Sequence, residues 1–199
     1  ILQEHFPKGR VVHGSRDYIQ LEQKGYTIEL IPIMDIKRVE DADNITDISP
    51  FHAHWVLKKK KYRNDIRLAK AFAKANHLYG AESFIKGFSG YALEVLTIHY
   101  KGFNNVLKNA AKWHAREVID TMKYHKGNVQ LNEAKMHAPL ILVDPVQATR
   151  NVTAVLSREK YHHFMKKARE YLARPSEQFF TKEKFSLENI LKKKKGKMV

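Results

Sequence analysis

The 199-residue sequence has no cysteine, only 6 proline and 9 glycine residues, and 21 acidic side chains against 36 Lys and Arg. Without cysteine there is no disulfide framework, no thiolate zinc site and no thiol nucleophile. Scarce glycine and proline, with 43% apolar and 29% charged residues, exclude collagenous and low-complexity chains and describe a folded protein. No apolar run approaches the roughly 20 residues of a membrane helix. The N-terminus lacks the basic-then-apolar pattern of a signal peptide. A soluble, cytoplasmic protein with no membrane association is therefore expected. Against a prior of about 150 residues per domain, the length allows one large domain or two modest ones. Ile1 in place of an initiator Met suggests a chain that begins inside a longer one.

The shortage of acids leaves a formal charge of +15, with 11 His able to add more below neutrality. Such an excess points to a polyanionic partner, and nucleic acid is the commonest, because neutralising phosphates with Lys and Arg releases counterions. A solvated basic surface and a thermophile-like lysine enrichment are the plainer alternatives.

Residues 1–35 read as β. Segments 9–13 and 17–22 lead through Gln23-Lys24-Gly25 into 26–32, a hairpin feeding a central strand. Alternation sets Tyr26, Ile28 and Leu30 on one face of that strand and Thr27, Glu29 and Ile31 on the other. Glu29 is thus expected on a mostly apolar face, an expensive place for a carboxylate without a cation or metal. Residues 37–47 are acidic and turn-rich, the best candidate for a boundary. Ser49-Pro50 predicts a helix start, with Ser49 as cap and Pro50 in the first helical position.

Beyond it the chain reads as mostly helical. Over 64–76, Ile66, Leu68, Ala69, Phe72, Ala73 and Ala75 make an apolar side, while Arg63, Arg67, Lys70 and Lys74 form one cationic stripe. Ser89 is placed to cap a buried helix over 91–100, and Ser157 another over 158–173. A further helix over 103–113 points Lys101, Lys108 and Lys112 outward. Residues 122–138 read as a long basic loop and 139–145 as a short buried strand.

The cationic stripe can grip a triphosphate or an RNA backbone, and the aromatic and imidazole company of His52, His54, Trp55, His77 and Tyr79 suits stacked bases. A solvated helix face is the competing reading. His52-x-His54 and His162-His163 have the wrong spacing for two ligands on one helix face, so no zinc site is expected. Gly87-Phe88-Ser89-Gly90-Tyr91 lacks the final glycine of a nucleophile elbow. Glu29 is the one candidate for a metal-binding catalytic carboxylate, against the simpler reading of an edge residue or ion-pair partner.

Several stretches, taken in order, resemble the archaeal-type (class I) CCA-adding enzymes, tRNA nucleotidyltransferases of the DNA polymerase beta superfamily. They are Ser49-Pro50-Phe51-His52, Arg67-Leu68-Ala69-Lys70-Ala71-Phe72, Lys74-Ala75-Asn76-His77-Leu78-Tyr79-Gly80-Ala81-Glu82, Gly87-Phe88-Ser89-Gly90-Tyr91, Val143-Asp144-Pro145-Val146 and Arg150-Asn151-Val152. The resemblance implies an α+β fold: the C-terminal strands of a polymerase-beta-like palm over 1–46, a mainly helical nucleotide- and tRNA-binding domain over 47–175, and the start of a following domain or basic tail over 176–199. It implies addition of C, C and A to tRNA 3′ ends from CTP and ATP, with Mg2+ as cofactor and tRNA as partner, and it is compatible with a homodimer. Glu29 stands where the family places its third metal-binding carboxylate, usually Asp. His52, Lys70 and Tyr79 match positions contacting the nucleotide's triphosphate and sugar, and Arg150 matches the base-reading arginine. Arg63, Arg67, Lys74, Lys108 and Lys112 are then expected to attract RNA.

The family's Gly-Ser turn with its Asp/Glu-x-Asp pair is not found in 1–28, and its later domains are not found beyond about 185, so these residues alone are expected to be inactive. Arg16-Asp17-Tyr18 stands where the family tends to have His-Pro-Tyr, and Ile48 where an Arg commonly follows the Asp. Two alternatives stay open: a non-catalytic RNA-binding module, and a poly(A) polymerase-like nucleotidyltransferase.

Overall fold

The computed structural model describes residues 2–14 and 16–181, and the Lys192 to Lys195 tract lies outside them. The chain divides into two compact units between Lys58 and Lys59.

The first unit opens with a short helix, α1 (Leu2–His5), followed by β1 (Arg10–Val12), β2 (Tyr18–Gln23) and β3 (Tyr26–Leu30). These form an antiparallel sheet in the order β1-β2-β3, with Ile19 opposite Leu30 and Gln20 opposite Glu29. Lys24 (φ 50°) and Gly25 (φ 78°) make the left-handed two-residue turn that matches the twist of the paired strands. The strand expected at the centre of the sheet is thus at its edge. Its residues 26–29 are exposed, Glu29 among them. The apolar surroundings expected for Glu29 are absent because neighbouring Thr27 and Ile31 also face solvent.

Helix α2 (Ile45–Leu57) begins earlier than the Ser49-Pro50 signal predicts. Asn44 caps it by accepting from Thr46 N at 3.1 Å, and Asp47 reaches back to Asn44 N at 3.0 Å, a reciprocal box that outweighs the proline signal. Pro50 is carried inside the helix. Asp47, read from sequence as part of a turn-rich boundary, is fully buried and holds the unit together. It accepts from Arg16 Nη1 and Nη2 (2.6 and 2.9 Å) and from Met34 N (2.8 Å). This is why α2 belongs with the strands, and why the division falls after the helix rather than at residue 46.

The second unit contains α3 (Arg63–Ala75), α4 (Gly90–His99), α5 (Phe103–Ala110), β4 (Glu117–Asp120), α6 (Glu133–Met136), β5 (Leu140–Val143) and α7 (Arg158–Ala173). Ser89 and Ser157 cap α4 and α7, accepting from Ala92 N (3.0 Å) and Lys160 N (3.2 Å). Helix α5 ends short of the expected span, leaving Lys112 in the turn that follows. Strand β5 is buried throughout, as its unbroken apolar run requires. It pairs in parallel with β4, a strand of 4 residues too short to show a period in sequence. The segment 122–138 is a loop interrupted by α6.

On α3 the buried positions are Ile66, Ala69, Phe72 and Ala73, whereas Leu68, expected inward, is 44% exposed. Phe72 is the hub of an aromatic core. Its ring lies 5.7 to 6.2 Å from those of Phe103, Phe164, Tyr171, Phe179 and Phe180, the last two carried by a 3-10 turn (Glu177–Phe180). Trp113 stacks on Tyr161 at 5.4 Å, with its Nε1 donating to Tyr100 (3.1 Å) and Tyr161 donating to His114 O (2.8 Å). Buried rings with satisfied polar ends make a rigid platform for what surrounds it.

Candidate nucleotide site

Helix α4 starts at a turn that approaches α3 and the segment 78–80. Gly87 and Phe88 bond back to Gly80 O and Leu78 O (2.7 and 2.8 Å), bringing Tyr79 beside the helix start. Gly90 leaves room for the Tyr79 hydroxyl: a Cβ there would lie 2.8 Å from Tyr79 Oη, so the tyrosine would have to shift, and at an ordinary 3.6 Å from Lys70 Nζ.

Lys70 does not project outward as a plain member of the stripe. Its Nζ donates to Glu94 of α4 at 2.5 Å, with 29% and 21% of the two side chains exposed. Lys74 Nζ lies 4.8 Å over the Tyr79 ring, a cation–π contact. Arg63 and Arg67 stand exposed on the same helix, and Lys108 and Lys112 are exposed at α5, so these four are not brought to this place.

Across the first turns of α4, Tyr91 donates to Asp144 Oδ1 at 3.1 Å, and Arg150 Nη1 donates to Asp144 Oδ2 at 2.6 Å. Asp144 follows β5 directly, is fully buried, and also accepts from Val146 N at 3.0 Å. The loop carrying Arg150 is locked by its neighbour: Asn151 accepts from Leu142 N (3.0 Å) and Thr153 N (2.9 Å), and Thr153 donates to Leu140 O (2.6 Å). Burial, then the Asp144 carboxylate, pushes the Tyr91 hydroxyl far above the usual phenol range, so it stays a proton donor.

Lys70 and Tyr79 thus meet the N-terminal half of α4 at Glu94 and Gly90, and Arg150 is linked to the same helix through Asp144, which accepts from Tyr91. The ammonium and the guanidinium are each held by a carboxylate, Glu94 and Asp144, which fixes the direction of their remaining N–H donors rather than leaving net positive charge. Sequence reasoning missed Glu94, Tyr91 and Asp144 as partners. The i, i+3 spacing of Tyr91 and Glu94 on a capped helix was the available signal.

Glu29 and His52 belong to the first unit. Glu29 is exposed at the sheet edge, accepting from Gln20 across the ladder at 3.3 Å. His52 is half-buried on α2. Among the described residues no group of three or more His, Asp or Glu side chains could hold a metal ion. No helix among them is long and apolar enough to cross a membrane.

A profile of the family described as "tRNA nucleotidyltransferase, second domain" matches residues 64–181. A CCA-adding enzyme of Nanoarchaeum equitans is 45% identical over 166 residues, which are 80% of this chain and 42% of that protein. One from Pyrococcus abyssi is 35% identical over 182 residues, covering 87% of this chain and 41% of that protein. The chain therefore spans well under half the length of these relatives. Among solved structures, a cytoplasmic RNA terminal U-transferase superposes with a TM-score of 0.64 over 92% of this chain and 75% of its own, at 13% identity, a likeness of fold.

Proposed function

The chain belongs to the tRNA nucleotidyltransferase family, and on that premise we propose that its parent protein adds C, C and A to the 3′ end of tRNA from CTP and ATP. In this reading the first unit, 1–58, ends a polymerase-beta-like palm and the second, from Lys59 through the 3-10 turn Glu177–Phe180, binds nucleotide and tRNA; the boundaries expected at 46 and 175 give way because Asp47 ties α2 to the strands and Phe179 and Phe180 pack on Phe72. The observation that supports the reading is that Lys70 and Tyr79 meet at the first turns of α4 while Arg150 is linked to the same turns through Asp144 and Tyr91.

Lys70, oriented by Glu94, neutralises phosphate charge. Tyr79 positions the nucleotide against Gly90. Arg150, its plane held by Asp144, reads the base. C N3 and A N1 are acceptors where U N3 and G N1 carry hydrogens, so a fixed guanidinium accepts the first pair and rejects the second. Arg63, Arg67, Lys74, Lys108 and Lys112 attract the tRNA backbone.

Family membership implies Mg2+, but the residues at Glu29 do not make an ion site by themselves. One exposed carboxylate facing Gln20 offers too few oxygen ligands. Glu29 is at most one ligand of a site completed by other carboxylates. The same exposure favours, as a second reading, a non-catalytic RNA-binding module. A cytoplasmic location, and a homodimer as one assembly, go with the family.

The test is to incubate the full-length protein with tRNA lacking its terminal CCA, CTP and ATP, and to sequence the products. Addition of C, C and A followed by a stop supports the reading. An open-ended A tail points to a poly(A) polymerase-like enzyme. Bound but unextended tRNA leaves the RNA-binding module.

A further inference from the structure

The turn 80–87 leaves Phe84 84% exposed, more than any other large apolar side chain among the described residues. The turn is not loose. Gly80 N donates to Phe88 O (2.9 Å), Ile85 N and Lys86 N both donate to Glu82 O (2.9 and 2.8 Å), and Ser157 N donates to Lys86 O (2.9 Å), tying the turn to the start of α7. The ring is therefore held in water by rigid backbone.

Phe84 forms one wall of a cavity of about 410 Å³ lined also by Lys74, His77, Tyr79, Ile85 and Lys160. Its lining contains no carboxylate. Both ammonium groups are fixed: Lys74 Nζ sits over the Tyr79 ring at 4.8 Å, and Lys160 Nζ donates to His77 O at 2.9 Å. A lone exposed phenylalanine carries no message. One displayed between anchored cations, in a chain of net charge +15, offers what an unpaired nucleotide needs: a ring face for the base and ammoniums for the phosphates.

We propose that this cavity is a single-stranded RNA subsite, in which an unpaired base stacks on Phe84 and the flanking phosphates pair with Lys74 and Lys160. Tyr79 is shared between this cavity and the start of α4, so the bound strand runs toward the nucleotide site. Taking that strand as the unpaired end of tRNA rests on the function proposed above.

The test uses the full-length protein and fluorescence anisotropy of a labelled RNA hairpin with an unpaired 3′ end, against the same hairpin with a blunt end, without nucleotides. Phe84→Ala weakens binding of the overhang hairpin by about 5- to 150-fold, the range for losing one base–aromatic stack. Phe84→Leu does the same, Phe84→Trp keeps wild-type affinity, and the blunt hairpin is unaffected. Lys160→Ala lowers the slope of log affinity against log salt by about one.

Wild-type affinity of Phe84→Ala for the overhang hairpin overturns the proposal, as does an equal loss for both hairpins. Weakened CTP and ATP binding by calorimetry, with RNA binding intact, overturns it in favour of a free-nucleotide site. A protein that binds as stated yet adds nothing to tRNA overturns only the transferase reading. One that adds C, C and A while Phe84→Ala binds normally overturns only the subsite.

Discussion

Arg150→Ala strands a fully buried carboxylate, whereas Asp144→Asn releases a guanidinium that is 27% exposed and can turn to water. The two halves of this ion pair should therefore be unequal in cost. Removing one partner of a buried pair costs about 3–5 kcal/mol when the remaining charge stays buried, as it does in Arg150→Ala. Asparagine at 144 keeps the shape and the Oδ1 contacts with Tyr91 and Val146, and loses one charge-assisted bond of roughly 1.5–3 kcal/mol. Hydration of Arg150 offsets part of that, leaving about 2 kcal/mol. The double variant removes the same bond once, so its cost falls short of the sum of the singles by about 1.5 kcal/mol. Urea unfolding can report this through Trp113, stacked on Tyr161 in the same unit, in a Trp55→Phe background. Arg150→Ala costing no more than Asp144→Asn, or singles adding within about 0.5 kcal/mol, would refute the reasoning. On the function proposed above, Asp144→Asn in the full-length protein should also erode the preference for CTP and ATP over UTP and GTP, because the guanidinium loses its fixed plane.

Lys70→Ala should lower kcat/KM for CTP and ATP by about 10- to 150-fold, the worth of one charge-assisted phosphate contact, with the circular dichroism of the fold retained; unchanged kinetics would remove Lys70 from the site. Gly90→Ala places a methyl 2.8 Å from Tyr79 Oη, so kcat/KM should fall by about 10- to 100-fold while the melting temperature holds, and full activity would mean that Tyr79 need not sit there. The Met34 amide, then the Arg16 guanidinium, hold Asp47 below the ordinary carboxylate range in spite of its burial. A folded-state pKa below the unfolded value of about 3.9 gives stability that is complete above that value and is lost as pH falls through the folded one. Acid unfolding of the first unit, read by Trp55 in a Trp113→Phe background, should lose this limb in Asp47→Asn. An acid profile identical to that of the parent would show that other carboxylates govern it.

The features legible in sequence were those written in local chemistry. A Ser cap, at α4 and α7, and a 3.6-residue apolar period, at α3, are each written within a few positions, so these helices could be read directly. Lys24-Gly25 between alternating segments likewise announced the hairpin. Lys70 and Tyr79 stand out from the sequence as a cation and an aromatic at helical spacing, whereas Arg150 is singled out by the family resemblance alone; their roles belong to the function proposed above.

Tertiary structure decided between competing local signals and supplied every distant partner. Asn44 and Ser49 both offer a helix start, and Asp47, locked by Arg16 and the Met34 amide, selects the earlier one. Strand β4 is too short to show a period and exists because β5 pairs with it. Lys70 meets Glu94 24 positions away, and Tyr91 meets Asp144 53 positions away. Such pairings depend on how helices pack around Phe72, a property of the closed core that no window of the sequence contains.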